Sequence, residues 1–283
     1  MKSIVVGGQA VIEGVMMKSP NYISIVVRNH KNKLVTKTQK LKKKKKWMTW
    51  PFIRGFINLI EMLVIGIRAL IWSADQASDE EQKISKTEFS FTLMFSLIFA
   101  IGLFIVLPFF LTKLITTSKG LLFNIIDGII RIIIFILYLV IISSLKDIKR
   151  IFEYHGAEHC AVNCYESGKN LTVQNAKKFT TLHTRCGTSF LIIVLIISIL
   201  VFSMIPGKNM IIRLGGRIIL LPIIAGISYE ILKLSAKYKN NKFFLLIIKP
   251  GLWIQKMTTR LPSNNQIAIA LLSLKLVLEL EKK

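Results

Sequence analysis

Acidic side chains are scarce: 15 Asp and Glu stand against 39 Lys and Arg, for a formal net charge of +24. The excess is mostly lysine placed before and between apolar blocks. Anionic lipid is therefore the expected partner, and nucleic acid is not. Cysteine is scarce too, with Cys160, Cys164 and Cys186 the three in the chain. An odd number confined to one segment argues against a disulfide framework and leaves thiolate ligation or inert thiols. The first thirty residues lack the apolar stretch of an export signal, so no cleavable leader is expected.

What the chain has in quantity is apolar sequence, 52% of it, in blocks too long for a soluble core. The expected fold is a predominantly α-helical polytopic membrane protein, with about four transmembrane helices, an interfacial helix and a small N-terminal β-sheet.

Residues 1–46 form the expected N-terminal β-rich segment, ending in a basic anchor. Ile4–Val6, Ala10–Met17, Ile23–Val27 and Leu34–Val35 read as strands separated by Gly7-Gly8, Pro20-Asn21 and Asn29–Lys33. Glu13 sits inside one of these apolar runs, either as an outward-facing strand residue or as a functional one. Six lysines lie between Lys40 and Lys46. Trp47, Trp50 and Phe52 follow, as a membrane-surface anchor requires.

Residues 47–88 read as an interfacial helix and a connector. Pro51–Trp72 is apolar but carries Arg54, Glu61 and Arg68 on one stripe, which suits a helix lying in the interface. Ser73–Glu88 is a polar, acidic connector. Residues 89–232 read as the transmembrane domain, with spans at Phe89–Leu111, Leu121–Ser144, Ser189–Ile205 and Ile211–Leu232, the last kinked at Pro222. Asp127 and Arg131 stand i, i+4 in the second span, as an ion pair would. Residues 233–283 form a tail that ends in an amphipathic helix from Gln266 to Leu280.

Between the second and third spans, residues 146–188 hold every cysteine and the triplet His155, Glu158 and His159. On a helix these three share one face. Two imidazoles there form a platform for a zinc-type ion, and a carboxylate beside them can serve as general base toward water polarised by that ion. The spacing H-x-x-E-H is the inverzincin signature. His183 and Cys186 lie in a turn directly before the third span, where two side chains can grip one tetrahedral ion.

The basic regions are the N-terminal cluster, the 146–188 segment and the tail, whereas the loops at Thr112–Gly120 and Pro206–Met210 carry little charge. By the positive-inside rule both termini and the motif segment face the cytosol. That orientation brings Glu230, at the end of the fourth span, to the depth of the histidines and takes Asp127 away. The expected ligands are His155, His159, His183, Cys186 and Glu230, with Cys160, Cys164 and Glu166 in reserve and Glu158 as the catalytic base. Histidines that cap helices and cysteines that merely pack are the bland alternative.

Gly7–Met17, Pro51–Gly55, Tyr154–His159, His183–Phe190, Ala225–Glu230 and Pro250–Arg260 together resemble the blocks of the YqhQ-like family. This is a bacterial family of uncharacterised membrane proteins described as predicted metal-dependent enzymes. The resemblance spans nearly the whole chain and implies metal dependence, with Glu13 inside one of the matching blocks; the mixed N, O and S donors suit a divalent ion, zinc first, and admit iron or manganese as well. Members often carry lysine after H-x-x-E-H where this chain has Cys160, which weakens Cys160 as a ligand.

The expected function is thus a metal-dependent hydrolase at the cytosolic membrane surface. The alternative is a non-enzymatic membrane factor whose metal or histidine cluster stiffens a surface that docks a membrane-protein partner, such as export machinery. A transporter is disfavoured, because the expected spans carry little charge and show no inverted repeat.

Overall fold

A computed structural model describes residues 4–78, 85–117, 120–204, 210–238 and 241–282. Part of the acidic connector (79–84) and most of the loop at 206–210 lie outside the described residues.

The N-terminal strands form one antiparallel sheet in the order β1 (Gly7–Val11), β2 (Gly14–Lys18), β3 (Tyr22–Arg28) and β4 (Leu34–Lys40). Ala10–Met17, expected as one strand, folds back at Ile12 and Glu13, and Val11 pairs with Gly14 across the hairpin. Glu13, the second residue of this two-residue loop, takes a left-handed backbone, φ 54°, whereas Ile12 does not, the placement of positive φ found in type II turns.

Period-two alternation gives the sheet two apolar faces. Ala10, Val15, Met17 and Val26 face one core, which they share with α5 (Lys146–Glu166) and α11 (Asn264–Lys282). Val11, Met16, Ile25 and Val27 face the other, against Met62, Ile65, Ala69, Leu70 and Trp72 of α1 (Ile53–Ala77). Segments that are remote in sequence thus close into a layered module of helix, sheet and paired helices.

The remaining helices pack together beside this module. They are α2 (Lys86–Ile101), α3 (Leu107–Ile115), α4 (Leu121–Ser143), α7 (Gly187–Ser203), α8 (Met210–Ile219), α9 (Leu221–Lys237) and α10 (Lys242–Thr258), whereas the short α6 (Val173–Ala176) packs on α5 and α11 within the module. A π-helical stretch, Gly102–Val106, joins α2 to α3, so that the helix runs without a break from Thr87 to Ile115.

Three helices among the described residues are long and apolar enough to cross a membrane: Ile53–Ala77, Thr87–Ile115 and Leu121–Ser143. Two of the expected spans take another form. The expected third span, α7, is apolar but has 17 residues. The expected fourth divides into α8 and α9, since Pro222 stands in the first turn of a new helix, where its missing N–H costs nothing. Part of the expected tail, α10, packs on α7, α9 and α4, with Ile254 beside Phe135, Leu139 and Ile192.

Asp127 pairs with Arg131 at 2.7 Å, as expected, and also with Arg217 of α8 at 2.8 Å. Both arginines stack on Phe202. All three charges are almost wholly buried.

Candidate metal centre

The site is built on α5. Its helix starts at Lys146, passes through H-x-x-E-H and stops at Gly168, which takes φ 72°. At the centre of the motif is Gly156, and a Cβ there would overlap the carbonyl oxygen of Arg260. That close approach is held by the Arg260 N–H, which donates to Phe152 O at 2.9 Å. It brings the chain after α10 against the motif, so that Thr258 O receives His155 Nδ1 at 2.8 Å. One turn later, His159 Nδ1 reaches Thr181 O at 2.6 Å.

A carbonyl oxygen only accepts, so each Nδ1 carries the proton and each Nε2 presents a lone pair. Metal-binding histidines are typically oriented in this way. Cys186, the N-cap of α7, supplies the third donor. Its sulfur lies 3.3 Å from His155 Nε2 and receives the Thr188 N–H at 3.5 Å. Ligand atoms of His155, His159 and Cys186 all lie within 4.8 Å of one another. The donor set fits a divalent ion of the zinc type, with two imidazoles and one sulfur.

Glu158 completes the cluster. Its Oε2 is 3.4 Å from His159 Nε2, and among the described residues no N–H or O–H group donates to the carboxylate. The side chain is 5% exposed. A buried carboxylate facing imidazole lone pairs needs a positive partner, either a proton or a metal ion. Gly8 on β1 makes room for it, because a Cβ at that position would sit 2.7 Å from Glu158 Cγ.

His183 stands next to this group rather than in it. Its ring centroid is 5.7 Å from that of His159, its Nδ1 accepts from Arg185 N at 3.3 Å, and its Nε2 faces Glu166 at 3.5 Å. Glu166 also pairs with Arg185. Glu230 is elsewhere, gripped by both Nε and Nη2 of Arg54 at the contact between α1 and α9. Cys160 points away and donates to Phe179 O, and burial, with Glu158 nearby, pushes its thiol up to about 11. Cys164 donates to Asn170 O, and burial raises its thiol as well. Neither cysteine is a member of the cluster. Glu13 braces α5 from the hairpin by pairing with Arg150 and accepting from Tyr154 OH at 3.3 Å.

Gln255 was not expected here. It is fully buried, with its Oε1 taking the His183 N–H and its Nε2 donating to His183 O and Ser189 Oγ, all at 2.9 Å. It thereby fixes the turn that carries Cys186. The signal for it was a lone amide on an apolar helix. No signal exists for Thr258 O and Thr181 O, since every residue has a carbonyl.

Residues 50–280 match the model of a family described as a protein of unknown function (DUF1385). The chain belongs to the DUF1385 family. It is also 32% identical to an uncharacterized protein, YqhQ, of Bacillus subtilis (strain 168), over 97% of this chain and 92% of that one. The DUF1385 match takes in all three candidate ligands and Glu158 but begins after the Glu13 hairpin, which the alignment to the Bacillus relative spans. No solved structure matches the chain.

Proposed function

We propose that the protein is a metal-dependent hydrolase working at the inner face of the cell membrane, with a divalent ion, zinc first, held by His155 Nε2, His159 Nε2 and Cys186 Sγ. The observation that carries this reading is the pair of carbonyl bonds at His155 Nδ1 and His159 Nδ1, which turns both lone pairs toward the Cys186 sulfur and the Glu158 carboxylate. A bound ion would supply Lewis acidity, and three protein ligands leave one position of a tetrahedral set for substrate.

Glu158 is the base. Its Oε2 takes a proton from the attacking water and returns it to the leaving group. His155 and His159 keep their Nδ1 protons throughout, because their carbonyl partners have nowhere to receive them. Arg185 and Glu166 lie at the edge of the cluster, where they meet solvent and an arriving substrate.

Burial favours a second reading. His159 is 2% and Cys186 8% exposed, as suits a closed structural ion that stiffens a docking surface. Glu158→Gln separates the two. An enzyme keeps its metal and loses hydrolysis of ester, peptide or phosphoester probes by about 10²-fold or more.

The test is elemental analysis of the detergent-purified chain beside His155→Ala, His159→Ala and Cys186→Ala. The expected result is about one ion per chain, lost in each variant. A wild type with no bound metal after purification and zinc reconstitution overturns the proposal.

A further inference from the structure

Although α1 is long and apolar enough to cross a membrane, we propose that it lies along the bilayer surface instead, docked on anionic phospholipid through the lysine run before it and its own exposed face.

One face of α1 is already occupied by protein. Met62, Ile65, Ala69, Leu70 and Trp72 pack on the sheet. Ser73 Oγ receives the Ile12 N–H at 3.1 Å, and Gln76 O receives that of His30 at 3.2 Å. Lys37 of β4 stands over the Trp72 ring at 5.5 Å. From Met62 to Gln76, then, the helix is bound to a sheet whose edge strand β4 is exposed and carries lysines.

A crossing α1 would take that edge, with its unpaired backbone groups and ammonium ions, into hydrocarbon, where neither is tolerated. Glu61 already pairs with Lys18 of β2 at 3.5 Å, so the part clear of the sheet, Ile53–Ile60, amounts to about 12 Å of helix at 1.5 Å per residue, less than half of a hydrocarbon core of about 30 Å.

The opposite face is apolar and uncovered, with Ile53, Leu59, Ile60, Leu63 and Val64 all exposed. Trp47, Trp50 and Phe52, exposed by 45%, 57% and 58%, lead into it, as aromatic side chains do at headgroup level. The lysine run lies alongside, because Lys44 Nζ bonds Asn58 and pairs with Glu61 at 2.9 Å. Cations flanking an apolar stripe, with protein on the reverse side, fit an anionic leaflet. The layered module, and with it the candidate metal centre, would then ride at a fixed height above the lipid.

The test uses the full chain in sealed vesicles of phosphatidylcholine and phosphatidylglycerol. Lys45→Cys and Ser78→Cys bracket α1, and the native cysteines are buried. An impermeant maleimide is expected to reach both positions from the same side, whereas labelling from opposite sides overturns the proposal. A nitroxide on Leu63→Cys then reads depth. It is expected about 5–10 Å below the phosphates, shallower in phosphatidylcholine alone or when Lys42, Lys43, Lys44, Lys45 and Lys46 become Gln. A label at the bilayer centre, or a depth that ignores lipid charge, is equally decisive against it.

Discussion

Two backbone carbonyls decide the chemistry of the site. Thr258 O and Thr181 O fix which nitrogen of each histidine carries a proton, and the H-x-x-E-H spacing alone could not specify that. The shared face of His155, Glu158 and His159 was legible because helix geometry dictates it. The position of Glu230 was not, because membrane depth says nothing about lateral place, and Arg54 offers that carboxylate a two-point grip. Gln255→Leu should leave the N–H and C=O of His183 unpaired in a buried place, at a cost of about 1–3 kcal/mol, and weaken metal binding by loosening the turn that carries Cys186. Competition with a fluorescent chelator measures this. Cys160→Ser should keep the full metal complement, since its thiol is held neutral and turned away; a lost ion in the same assay would falsify the three-ligand assignment.

At the scale of elements, the motif helix is clamped by close approaches rather than by strong propensity. Gly156→Ala would push the Arg260 carbonyl off α5, at a cost of about 1–3 kcal/mol of overpacking. It should also lower metal affinity, because Thr258 lies two residues upstream of Arg260; thermal unfolding and chelator competition read the two effects separately. The far end of the clamp is α11. Glu281 accepts from Ser19 Oγ and Asn21 N at 2.6 Å and from Asn21 Nδ2 at 2.9 Å. Partial burial opposes its ionisation, but these donors outweigh it and hold the carboxyl below its usual range. A folded-state pKa below the unfolded one gives stability that is complete above the ordinary carboxylate value of about 4.3 and is lost as pH falls through the folded value. Protection from hydrogen exchange at Asn21 and Tyr22, measured against the intrinsic rate at each pH, should therefore fall in acid, and Glu281→Gln should remove that pH dependence. Helices α1, α4, α5 and α11 were legible from apolar periodicity and caps, whereas α10, which carries Pro250 in its interior, read only as tail, and α8 and α9 read as one span. The hairpin turn at Glu13 was not, because Ile12-Glu13 carries none of the glycine or asparagine that announces a left-handed turn.

At the scale of the whole molecule, three segments that the sequence keeps apart make one module: the N-terminal sheet, the motif helix and the C-terminal helix. The sequence showed a small N-terminal sheet, but not that both of its faces would be covered, and no pattern in α11 says which face it will find. The same limit applied to the buried charges. Asp127 and Arg131 were visible as an i, i+4 pair, whereas Arg217 comes from 90 residues further on. Asp127→Asn leaves two buried guanidinium groups without their counter-charge, and should cost about 3–5 kcal/mol. A lower unfolding midpoint in detergent, with metal content unchanged in the surviving folded fraction, is the expected signature. The bundle and the metal module would then be separable in stability although they share α10.

That His155, His159 and Cys186 hold one ion is tested most directly by X-ray absorption at the metal edge of the purified wild-type chain. For zinc the predicted first shell contains imidazole nitrogens at about 2.0–2.1 Å and one sulfur at about 2.3 Å, the sulfur vanishing in Cys186→Ser. A shell without sulfur, or one that Cys186→Ser leaves unchanged, would contradict it.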